Sequence, residues 1–194
     1  MRKLVIFCLT AICAVGASAV PIGMAEFGAG TTTDTYDGLG LPLFNATPLT
    51  VSGNTYFSNT DNIRYSGSFG VGAGAGFGTD GIAGIVDIRL GDTVQRAGIS
   101  VLASRDWLGE VAFFGVGNVL LGTISVGGSG GQIVFAGWEE LAGITMLRIS
   151  ADASNQTVLG FDNLMLERVS AVPEPGSFAL LLGALGLLLA RRRR

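Results

Sequence analysis

Apolar and polar positions alternate over short stretches in the middle of the chain. Residues 84–90 put Val86, Ile88 and Leu90 on one face and Asp87 and Arg89 on the other. That period of two marks a half-buried strand. Residues 144–151 set Leu147 and Ile149 against Arg148 and Ser150 in the same way. Apolar runs at 63–69, 99–103, 111–116, 119–126, 132–136 and 158–169 read as further strands, with Gly, Asn, Asp and Ser between them. None shows helical spacing with caps. Many short strands separated by turn signals predict an all-β fold, an antiparallel β-sandwich. Gly115-Val116-Gly117-Asn118 predicts the turn between two of these strands.

The two ends follow different patterns. Arg2 and Lys3 precede an apolar run over 4–15, and Ala17-Ser18-Ala19 supplies small residues with Ala17 and Ala19 at the positions a signal peptidase accepts. Residues 1–19 therefore predict a cleaved signal peptide with a helical core too short to span a bilayer comfortably. Both cysteines, Cys8 and Cys13, lie inside it, so the processed chain has no disulfide. At the other end, Pro173-Glu174-Pro175 precedes an apolar or glycine segment over 178–190, and Arg191, Arg192, Arg193 and Arg194 follow. Fifteen residues of helix from 176 span about 22 Å against about 30 Å of hydrocarbon, and snorkelling arginine stems shorten the gap. This predicts a short transmembrane helix with its arginines in the cytoplasm and residues 20–171 outside.

Prolines around a glutamate, a short apolar span and an arginine cluster, in that order over 172–194, resemble the PEP-CTERM sorting signal. The resemblance implies an exosortase partner and cleavage near Pro173-Glu174-Pro175. It implies transient anchoring in the inner membrane through 178–190, followed by the cell surface or extracellular matrix of an exopolysaccharide-making Gram-negative bacterium. Gly160-Phe161-Asp162-Asn163-Leu164 resembles the closing strand of sandwich domains in such proteins and in carbohydrate-binding jelly rolls. A jelly-roll-like sandwich is the fold this implies.

Composition narrows the chemistry. Between 20 and 171 there are 6 arginines and 14 acids, so 6 − 14 leaves a charge of −8, with no His, Lys or Cys. Ser-His-Asp and Cys-His nucleophiles, lysine Schiff bases and conventional zinc sites are excluded. The negative charge also argues against a nucleic-acid partner. Residues 70–78 are glycine-rich but lack the lysine and helix of a phosphate loop. Paired carboxylates remain, with Glu110, Glu139 and Glu140 available, although neighbours on a strand point to opposite faces. Oxygen-ligand calcium is the one metal left open, and Asp34, Asp37, Asp162 and Asn163 would hold it if the first and last strands lie side by side. Trp107 and Trp138 suit either stacking on polysaccharide or capping the core. The function expected is a non-enzymatic exported surface or matrix protein, structural or adhesive in exopolysaccharide and biofilm. The alternatives are a carbohydrate-binding module and a carboxylate-dependent glycosidase.

Overall fold

The computed structural model describes residues 19–39, 44–59, 62–66, 76–79, 84–103, 107–129, 132–151 and 159–168. The predicted signal segment before Ala19 and the sorting segment over 172–194 fall outside them. Among the described residues no helix is long and apolar enough to cross a membrane.

Among the described residues twelve strands build the domain: β1 (Val20–Ile22), β2 (Thr32–Asp34), β3 (Phe44–Ala46), β4 (Leu49–Val51), β5 (Asn54–Ser58), β6 (Asn62–Ser66), β7 (Gly76–Thr79), β8 (Ile85–Ala103), β9 (Trp107–Gly115), β10 (Leu120–Gly128), β11 (Ile133–Ala151) and β12 (Leu159–Glu167). Their pairings are antiparallel. The all-β sandwich expected from the alternation is what forms.

Two strands organise it. The pattern predicts separate strands at 84–90 and 99–103, and at 132–136 and 144–151. The structure fuses each pair into a single strand of 19 residues, β8 and β11. The intervening glycines read as turns in sequence, but Gly91 and Gly143 sit at a bend, and Gly98 and Gly137 pair with each other within the ladder. β8 and β11 pair from Ile133↔Leu102 to Glu139↔Arg96, and again from Met146↔Arg89 to Ser150↔Ile85. The register shifts between Glu139 and Ile144, where Gly143 takes a φ of +101°. Such a shift bends a strand and lets it change layer.

One layer therefore holds β4, β5, the first half of β8, the second half of β11, β9 and β10. The other holds β1, the first half of β11, the second half of β8, β12, β7, β6 and β3. β2 pairs with the far part of β12. Ring contacts join the layers: Tyr56 on β5 stacks on Phe161 of β12 at 6.1 Å, and Phe113 on β9 stacks on Trp138 of β11 at 5.6 Å. Ile88, Ile99, Leu147 and Ile149 are fully buried between them. Each such side chain contributes about 1.5–3 kcal/mol by leaving water.

Arg96 pins the edge of the second layer. Its Nε donates to Glu139 Oε2 at 2.9 Å and its Nη1 to the Glu26 carbonyl at 2.8 Å. Glu167 lies 3.5 Å from the same Nη1 and accepts from the Gly28 amide at 2.8 Å. Val20, Glu139, Arg96 and Glu167 thus form one row across β1, β11, β8 and β12. The chain enters the domain at one end of that row and leaves it at the other.

Candidate functional site

A cleft of about 550 Å³ opens beside the bend, lined by Thr33, Asp34, Asn54, Asp92, Leu164 and Arg168 among others. Four elements make it: β2, the β4–β5 turn, the bend of β8 and the end of β12. The turn is tight because Ser52 and Gly53 both take positive φ, 50° and 83°. Gly91 must remain small, since a Cβ there would lie 2.5 Å from the Gly53 carbonyl oxygen. Asn54 Oδ1 accepts from the Gly91 amide at 3.1 Å and fixes the turn to the bend. An ion pair between Arg168 and Asp92 closes the exposed rim.

Behind the cleft lies a buried polar group. The Tyr36 and Tyr56 hydroxyls meet at 2.9 Å, and the Tyr36 carbonyl accepts from Tyr65 Oη at 3.0 Å. Burial first, and then the neighbouring Tyr56, hold the Tyr36 phenol well above its ordinary range. Burial likewise raises Tyr56. Asp34 Oδ1 accepts from the Tyr36 amide at 3.3 Å. Its Oδ2 is buried with no hydrogen-bond partner among the described residues.

The four residues predicted for calcium lie on β2, on the turn after it and on β12. The first strand, β1, lies against β11 rather than the last strand, but β2 pairs with β12, with Asp34 opposite Leu164. Asp162 is buried, and Asp34 and Asp162 both act electrostatically on Tyr36. Asp162 Oδ1 accepts from the Asn163 amide at 2.7 Å, and Asn163 takes a φ of 51° in a bulge between Asp162 and Met165. Asp37 is exposed. Among the described residues no three acidic side chains gather into a metal-holding group.

Trp107 opens β9, opposite Gly128, and Trp138 sits inside β11. Trp138 is 7% exposed and stacked on Phe113, and a Cβ at Gly122 would run into its ring. Of the two roles open in sequence, the structure places Trp138 in the core. Glu139 and Glu140 do point apart: Glu139 pairs with Arg96, while Glu140 is buried and accepts from the Ala142 amide at 2.9 Å. Glu110 is exposed on β9, with Ser125 and Ser150 as its cross-strand neighbours. The cleft had no signal in sequence, because β2, β4 and β5 are too short to alternate visibly.

No curated protein matches the chain. Among solved structures, TmCBM61 in complex with beta-1,4-galactotriose aligns at 11% identity with a TM-score of 0.46, over 61% of this chain and 90% of that one. The carbohydrate-binding module CBM29_1 from Piromyces equi aligns at 9% identity with a TM-score of 0.43, over 74% of this chain and 93% of that one. At such scores the likeness carries nothing about a ligand. A family model matches outside the sandwich: residues 171–194 carry a PEP-CTERM protein-sorting motif.

Proposed function

We propose that this is an exported, non-catalytic surface protein, released by an exosortase into exopolysaccharide, where it is structural or adhesive. The sorting motif over 171–194 carries the reading, because it begins within a few residues of the last strand and makes the sandwich its cargo. The signal-like segment over 1–19 supports the same route. A domain without His, Lys or Cys supports a non-catalytic role. Mass spectrometry of the surface-located protein tests this: the expected mass ends near Pro173-Glu174-Pro175, and an intact Arg191–Arg194 tail there refutes it.

A second reading is carbohydrate binding, and the observation favouring it is the cleft with its hydroxyl, amide and ion-pair lining. Polysaccharide pull-down with Arg168→Ala and Trp107→Ala discriminates. Equal retention by parent and variants removes the reading. Glycan hydrolysis that persists in parent but stops in Glu110→Gln would instead favour a glycosidase. Calcium at Asp34 and Asp162 is part of the proposal, supported by the unpartnered Asp34 oxygen. Added calcium then raises the melting temperature of the parent and not of Asp34→Asn, and no shift in the parent retires the site.

A further inference from the structure

We propose that the bend end of the sandwich is a membrane-apposed face, resting on the phospholipid surface while the tail is still anchored. This rests on the reading of residues 178–190 as a membrane segment.

The observation is a juxtaposition. Val116, Val119 and Leu120 at the β9–β10 tip and Leu141 at the β11 bend are each more than half exposed. The Gly143 carbonyl lies against Gly115, which brings the bend to the tip. Thr93 packs on Gly143, and the adjacent Asp92 pairs with Arg168. The apolar tip is therefore on the end from which the chain leaves toward the sorting motif. Val20, where the chain enters from its signal-like segment, pairs with Glu139 beside the same bend.

Chain length and charge agree. Residues 169–177 separate Arg168 from the apolar segment at 178, and nine extended residues reach at most about 30 Å. The domain cannot drift far from the bilayer while tethered. With a charge of −8 over 20–171, most faces would be repelled by anionic lipid. Residues 111–138 carry no charged side chain, and neither do 141–147. The apolar tip sits within these uncharged stretches, where that repulsion is weakest, and apolar side chains beside a bilayer favour its interface.

Single-site labelling tests the proposal, since the sandwich has no cysteine of its own. The tail-bearing chain, with Cys8→Ala and Cys13→Ala, is purified from the inner membrane of a host lacking exosortase. It is then placed in vesicles of phosphatidylethanolamine and phosphatidylglycerol. Val119→Cys carries an environment-sensitive fluorophore in one sample, and Leu108→Cys, at the opposite end of β9, carries it in another. The expected result is a blue shift and quenching by lipid-borne spin labels at 119, with 108 remaining solvent-like. Solvent-like emission at both sites, or equal quenching at both, overturns the proposal. Shielding at 119 that ignores the lipid quencher assigns the face to a second copy and also overturns it. Failure of the chain to float with the vesicles refutes the tail reading itself, and this proposal falls with it.

Discussion

Tyr36 and Tyr56 show how a few atoms set a pH limit on the whole domain. Both phenols are raised by burial, so the folded state holds their protons more tightly than the unfolded chain does. Their contribution is complete below the ordinary phenol value of about 10 and is lost as pH rises past it. Alkaline unfolding should therefore begin above about pH 10 and coincide with tyrosine ionisation read in the ultraviolet. Tyr36→Phe should cost about 1 kcal/mol at neutral pH in urea melts, because it removes one partner of a buried hydrogen bond. Glu167 has the opposite sign. The Gly28 amide first, and the Arg96 guanidinium after it, lower its pKa. That stability is present above the ordinary carboxylate value and is lost as pH falls through the folded one. Glu167→Gln should cost about 1–2 kcal/mol at pH 7. The gap to the parent should close in melts at acid pH.

At the scale of elements, the legible parts were those with long alternation. Residues 84–90 and 144–151 are strand as read, and the Gly115–Asn118 turn holds, with Gly117 and Asn118 at φ of 74° and 60°. The continuity of β8 and β11 was not legible, because a glycine at a bend and a glycine at a turn look the same along the chain. Gly143 decides between them by three-dimensional context. Its φ of +101° disfavours any side chain, and a Cβ would also meet the Thr93 methyl. Gly143→Ala should destabilise by about 1–3 kcal/mol in chemical melts. Thr93→Ala in the same chain should recover the steric part and leave the backbone part. Chain order suggests the first strand beside the last, but β1 pairs with β11 and it is β2 that meets β12, setting Asp34 opposite Leu164. The cleft itself needed the β4–β5 turn, whose strand β4 has only three residues.

For the whole molecule, the sorting motif was legible because it is read by order and composition rather than by packing. The sandwich's own ligand is not legible in that way, since a ligand site depends on which loops converge. Charge was informative at this scale only after being divided. The formal −3 of the chain hides a −8 domain between cationic ends. Release of residues beyond the Pro-Glu-Pro segment should make the surface form markedly more acidic than the precursor. Isoelectric focusing of the two forms checks this, and equal positions would mean that the arginines are retained.

The row formed by Val20, Glu139, Arg96 and Glu167 has a mechanical consequence. Tension applied between the two ends of the domain runs across the strands, along the direction of their hydrogen bonds. It opens β1 from β11 and β12 from β8 one rung at a time rather than shearing a whole ladder at once. A surface protein loaded that way yields at low force, while the same protein pulled along β8 and β11 resists with the paired rungs on both sides of the bend at once.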